Sequence, residues 1–185
     1  YNRVGMKMLL KNCKFIVTQN QNREILKDKD ILVSGKNIVK IGEKIDSHDK
    51  KIIDCSHKLV IPGLINSHTH LPMTIFRGYL DTLPLRKWLP RIIELEKKLT
   101  QDEIYYATLL GCLESIRFGT TTLADFYYFP YTRAKAIEKS GLNAFLDSTV
   151  MDKPLFYKDV DEAIDNAERF FNDFKDHEVI KPIAT

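Results

Sequence analysis

Cysteine is scarce: Cys13, Cys55 and Cys112 are the three in 185 residues. They lie too far apart for a C-x-x-C motif, which excludes a cysteine-built zinc module, a dithiol redox site and a disulfide scaffold, and they read as reduced core residues. Long apolar runs are also missing. Residues 59–65, interrupted by Pro62 and Gly63, fall far short of the ~20 residues that span a bilayer, so no membrane partner is expected. Charge of one sign is nowhere concentrated: 28 Lys and Arg intermix with 25 Asp and Glu to a net +3. That leaves no basic face to neutralise a phosphate backbone, and nucleic acid is not an expected partner. No glycine-rich loop follows a strand-like run, which argues against a complete doubly wound nucleotide-binding protein. Residues 1–5 form a polar lead-in instead of an apolar signal segment, so a cytoplasmic setting is expected, with Met6 or Met8 a natural start.

What is present has the balance of a folded globular chain, 44% hydrophobic and 29% charged. Up to about residue 59 the pattern is all β, with strands expected over residues 8–18, 31–33, 38–41 and 51–54. Ser34-Gly35-Lys36-Asn37 predicts a hairpin between the second and third of these. Four strands are too few for a convincing independent core. Beyond Pro62-Gly63 strands alternate with helices: an apolar run ending at His70, then residues 120–126, 143–150 and 179–184. Thr100-Gln101-Asp102-Glu103 spells a capping box, Gly119 and Gly141 helix stops, and Thr132 an N-cap. Residues 160–174 carry apolar side chains at the period of a helix packed on a sheet. The fold class is therefore α/β, a parallel sheet covered by helices, either doubly wound or closed as a barrel. Four units make half of an eight-fold barrel and would leave an open apolar edge, so a truncated chain is expected, its edge closed by dimerisation or by another segment.

The chemistry centres on His68-Thr69-His70 at the end of the first of these strands. Side chains at i and i+2 of a strand share a face about 6.6 Å apart at ~3.3 Å rise per residue, so the two imidazoles can converge on one cation. The C-terminal ends of barrel strands are where such enzymes build their sites. An H-x-H tripeptide among five histidines arises by chance on the order of one time in ten, but the apolar strand before it and Pro72 after it raise its weight.

Residues 62–70, Pro-Gly-Leu-Ile-Asn-Ser-His-Thr-His, followed by Pro72-Met73-Thr74, Arg77-Gly78-Tyr79, Asp81, Leu83-Pro84-Leu85 and Trp88-Leu89, closely resemble the chlorohydrolase/deaminase branch of the amidohydrolase superfamily. Within that branch the chain is most similar to the 5-methylthioadenosine/S-adenosylhomocysteine deaminases. The resemblance spans almost the whole chain and is most specific over residues 62–89. It implies a (β/α)8 barrel beside a β-sandwich, with residues 1–60 the N-terminal part of the sandwich and residues 61–185 the first four βα units. It implies His68 and His70 as ligands of one divalent metal ion, zinc or iron. The third and fourth ligands and the proton-transfer residues of the family have no counterpart here, so the fragment alone is expected to be inactive. Trp88, in the loop after the first barrel strand, and Glu96 match residues that line the nucleoside pocket and bind ribose hydroxyls. By themselves Trp88 would be a packing anchor and Glu96 a solvated helix residue.

The implied function is hydrolytic deamination of an adenine nucleoside thioether by a homo-oligomeric enzyme. Guanine- or triazine-type amidohydrolases are the runner-up, and a non-catalytic fragment or binding module the alternative of a different class. Ser148 stands where several members carry an arginine, which bears on the adenosyl substrate. Asp125, at the end of the second strand, is expected either to line the pocket or, preferably, to serve a loop or cap role, and His48, His57 and His177 are expected at the surface.

Overall fold

The structure, a computed structural model, describes residues 7–46, 48 and 51–183. The chain divides into two compact units, Tyr1–Pro62 and Gly63–Thr185.

The first unit is a five-stranded sheet of β1 (Lys7–Val17), β2 (Ile25–Ser34), β3 (Asn37–Gly42), β4 (Lys51–Asp54) and β5 (Leu59–Val60). β1 is its spine, antiparallel to β2 and parallel to β4 and β5. The expected hairpin forms: Ser34 pairs with Asn37, and Gly35 takes φ +59°, open to a residue without Cβ. β2 extends well beyond the expected residues 31–33, because the charged residues 27–30 mask its alternation. Asp30 in that stretch is buried for a local reason. The β1–β2 register slips between Leu10 and Cys13, and the Asp30 carboxylate accepts the Asn12 N–H that the bulge leaves unpaired, at 2.8 Å, and the Ile45 N–H beyond β3 at 2.9 Å. Cys13, Ile16, Ile31 and Cys55 form the core of this unit.

The second unit carries a four-stranded parallel sheet of β6 (Leu64–Thr69), β7 (Thr120–Asp125), β8 (Asn143–Asp147) and β9 (Ile180–Ile183), ordered as in the chain. That order lacks the reversal a doubly wound sheet has at its switch point. A 3-10 helix (Leu71–Phe76), α1 (Leu85–Glu96), α2 (Gln101–Arg117), α3 (Pro130–Ser140) and α4 (Val160–Phe174) connect the strands. The capping box is made in full: Glu103 N–H donates to the Thr100 hydroxyl, and the Glu103 carboxylate accepts the Thr100 N–H at 2.8 Å. Leu123, Ala134, Ile137, Leu146, Phe170 and Ile180 anchor one core between sheet and helices.

Two local expectations are corrected. α3 begins at Pro130, not after a Thr132 cap. Proline is pre-set for the first helical position, while the Thr132 hydroxyl is engaged by the Gln101 side chain at 3.2 Å. His177 is half-buried and not a free surface residue: its Nδ1 accepts the Ile180 N–H at 3.2 Å, fastening the turn into β9. His57 is exposed, and all three cysteines are buried and free, as expected. Burial pushes the Cys13 and Cys112 thiols up to about 11, away from reactivity. Among the described residues no helix is long and apolar enough to cross a membrane.

The packing that positions the strand ends is a buried ion cluster. Arg133 on α3 is fully buried between Asp125, the last residue of β7, and Asp147, the last of β8. Its Nη1 meets Asp125 Oδ2 at 2.7 Å, and its Nη2 meets Asp147 Oδ1 at 3.3 Å. Removing one partner of such a cluster leaves a desolvated charge behind. We therefore expect Arg133→Met to destabilise the protein by about 3–5 kcal/mol, measured by chemical denaturation, with Arg133→Lys recovering little because an ammonium cannot reproduce the planar fork. At Gly63 an added Cβ would lie 2.2 Å from Thr121 Oγ1 and Cγ2 and 2.7 Å from its Cβ. Gly63→Ala is expected to cost about 1–3 kcal/mol by overpacking β6 against β7, and an unchanged denaturation midpoint would refute this.

Candidate active site

β6 is apolar only at Leu64 and Ile65 and is exposed along most of its length, not the buried run the sequence suggested; His68 and His70 flank its last residue, Thr69. Their rings meet edge to face with centroids 4.9 Å apart, and the two Nε2 atoms are 3.2 Å apart. His70 Nδ1 lies 2.6 Å from the Phe126 carbonyl oxygen. A carbonyl only accepts, so Nδ1 carries a proton, and in that tautomer the Nε2 lone pair is directed toward His68. Four nitrogens set tetrahedrally ~2.0–2.1 Å from a zinc ion are about 3.3 Å apart, close to the observed separation. The donor type and spacing thus fit a divalent metal. Among the described residues no group of three or more His, Cys, Asp or Glu side chains could hold an ion, so the pair offers two of the three or four protein ligands a site needs.

The loop after β7 supports this pair, and Arg133 holds the loop. Phe126 N–H donates to the Thr69 carbonyl at 3.0 Å, tying the loop to the end of β6. Arg133 donates to the main-chain carbonyls of Asp125 at 2.9 Å, Tyr127, Tyr128 at 2.9 Å and Asp147 at 2.6 Å. Asp125 Oδ1 in turn accepts the Leu71 N–H at 2.6 Å and faces the Thr69 hydroxyl at 2.8 Å. The expected loop or cap role of Asp125 is found, joined to an ion pair the sequence did not disclose. Arg133, within Thr132-Arg133-Ala134-Lys135, looks like any solvated helix residue. The available signal was indirect: two aspartates closing consecutive apolar strands require a cation between them.

A cavity of about 360 Å³ opens beside the pair, lined by His70, Trp88, Ile92, Glu96, Tyr127 and Met151 among others. Trp88 is half-buried and stands on α1, not in a loop, although it faces the cavity as the resemblance implies. Glu96, the last residue of α1, is 5% exposed, so the solvated-helix alternative fails. Burial raises its carboxyl above the usual carboxylate range, and Tyr127 and His70 partly offset this. Tyr127 went unnoticed in the sequence. Burial, then the Glu96 charge, raises its phenol well above the ordinary range. The two groups act on one another without the geometry of an ordinary hydrogen bond, since the Tyr127 hydroxyl has no partner of that kind. The Ser148 hydroxyl is taken by the Asn166 amide at 2.8 Å.

The amidohydrolase family matches residues 59–184. A 5′-deoxyadenosine deaminase of Methanocaldococcus jannaschii is 47% identical over 150 residues, covering 79% of this chain and 35% of that protein. A 5-methylthioadenosine/S-adenosylhomocysteine deaminase of Carboxydothermus hydrogenoformans is 41% identical over 169 residues, 88% of this chain and 38% of that protein. The solved structure of an adenosine deaminase from Xanthomonas campestris with bound zinc superposes with a TM-score of 0.79 at 25% identity, over 96% of this chain and 42% of that one. The chain thus spans about a third of the length of the curated relatives it matches. With the histidine pair, the cavity and the family match falling on one unit, the chain belongs to the amidohydrolase family.

Proposed function

We propose that this chain is the metal-binding N-terminal portion of a hydrolytic deaminase acting on an adenine nucleoside with a 5′-deoxy or 5′-thioether group. The observation that carries the proposal is His70, which belongs both to the converging imidazole pair and to the wall of the cavity. A group bound in that cavity lies next to the place a metal would occupy. Residues 61–185 are then the first four βα units of a (β/α)8 barrel, which the chain-ordered parallel sheet supports. Residues 1–60 are part of an accompanying β-sandwich. The buried free thiols suit a cytoplasmic enzyme.

In this proposal His68 and His70 hold one divalent ion, zinc as in the Xanthomonas structure or iron, with the remaining ligands supplied from elsewhere in the protein. The ion supplies the Lewis acidity that activates water near neutral pH. Water adds at the amino-bearing ring carbon, and the amine departs as ammonia. The chain's own residues bind and orient. The Phe126 carbonyl fixes the His70 tautomer, so its Nε2 stays available as a ligand. Trp88 lies along the base and sugar, and Glu96 accepts hydrogen bonds from the ribose hydroxyls. Ile92 and Met151 keep water from the 5′ end.

Two substrate questions follow. Among the described residues no Lys or Arg lines the cavity, and Ser148 is occupied by Asn166, which favours an uncharged 5′ substituent over the zwitterionic tail of S-adenosylhomocysteine. A guanine or triazine substrate has no sugar to use Glu96, so a carboxylate kept nearly buried would carry a desolvation cost without return. The test is ammonia release by the full-length protein from 5′-deoxyadenosine, methylthioadenosine, S-adenosylhomocysteine and guanine, before and after chelation and zinc restoration. Metal removal and His68→Ala are each expected to lower kcat/KM more than about a hundredfold. The two uncharged nucleosides are expected to exceed S-adenosylhomocysteine by about tenfold. Activity untouched by complete metal removal would end the mechanism, and guanine as the best substrate would end the nucleoside assignment.

A further inference from the structure

The Tyr127 hydroxyl is the buried side-chain polar atom that has no hydrogen-bond partner among the described residues. Such an orphan donor ordinarily costs about 1–3 kcal/mol, and it persists here although everything else about the residue is fixed. Its N–H donates to Asp147 Oδ1 at 3.2 Å, and its carbonyl accepts from Arg133 and from the Thr149 hydroxyl at 2.8 Å. Its ring packs edge-on to Tyr128 with centroids 5.0 Å apart. The backbone is held on three sides, so the side chain is aimed and cannot swing away with its loop. Glu96 is its neighbour in the cavity wall, and the Glu96 carboxylate is the first charge to act on the phenol. Both residues line the same cavity and both are nearly excluded from water, 3% exposed for Tyr127 and 5% for Glu96.

A carboxylate presents two oxygens, and either one can face a ligand. A phenol donor behind it selects one orientation and leaves the outward oxygen for the ligand. The hydroxyl itself is sealed from solvent, so it acts through Glu96 and does not touch a ligand directly. Resting on the proposed nucleoside deaminase function, we propose that Tyr127 is a positioning residue, donating a hydrogen bond to Glu96 when that carboxylate turns to accept the ribose hydroxyls.

The experiment compares 5′-deoxyadenosine with 2′,3′,5′-trideoxyadenosine, which differ only in the diol, on the zinc-loaded full-length enzyme. Wild type, Tyr127→Phe, Glu96→Gln and the double variant are measured. Tyr127→Phe is expected to raise KM for the diol substrate about tenfold with kcat changed less than about twofold. It is expected to leave KM for the trideoxy substrate unchanged and to add nothing to Glu96→Gln. A residue that merely packs the pocket would affect both substrates alike and add to Glu96→Gln, and either result overturns the proposal. If wild-type enzyme releases no ammonia, the deaminase function fails on its own. Calorimetric binding of the same two nucleosides then decides the role of Tyr127: a diol-specific loss of affinity in Tyr127→Phe upholds it, and equal losses or none overturn it.

Discussion

One guanidinium holds the working end of the second unit together. Arg133 is buried between the aspartates that close β7 and β8, and it also gathers four main-chain carbonyls from the ends of those strands and the loop between β7 and α3. A loop withdrawn from water must find partners for its carbonyls. Arginine supplies them, because its five N–H donors radiate in one plane. Two carboxylates compensate its charge, and their remaining lone pairs are used as well: Asp125 by Leu71 and Thr69, Asp147 by Tyr127. The cluster is close to fully satisfied, the condition under which a buried ionic group is tolerable and rigid instead of merely expensive.

Much that is local was legible. The Ser34–Asn37 turn, the Thr100 capping box, the α4 span and the strand ending at the histidine pair each depend on residues a few positions apart. Hydrophobic period and turn chemistry suffice for such features. Even there the sequence erred where a neighbour competed: Thr132 has the chemistry of an N-cap, but Pro130 starts α3 first and Gln101 takes the hydroxyl. The charged residues 27–30 hid half of β2 because a strand with an exposed face needs few apolar side chains.

The rest was illegible because it is made by contacts between distant segments. Glu96 in Glu-Leu-Glu-Lys-Lys has no local mark of burial; only the meeting of α1 with the loop after β7 desolvates it. Arg133 and Tyr127 are ordinary residues in ordinary contexts. Their importance comes from where β7, β8 and α3 bring the two aspartates and the loop. The resemblance carried Glu96 and Trp88 because family patterns record such meetings. It could not carry Arg133, since no motif was recognised around it.

Those distant contacts also put His70 in the wall of the cavity. Phe126 and Tyr127 are adjacent, and they do different things: the Phe126 carbonyl faces His70 Nδ1, while Tyr127 lines the cavity together with Glu96. Because Arg133 holds the carbonyls of Asp125 and Tyr127 on either side of Phe126, the orientation of the imidazole and the shape of the cavity are set together. A site assembled from independent loops would have to order each on binding and would lose affinity for every one. Here that ordering is done when the unit folds, so the stability of a buried ion cluster and the preorganisation of the surface chemistry above it are the same property.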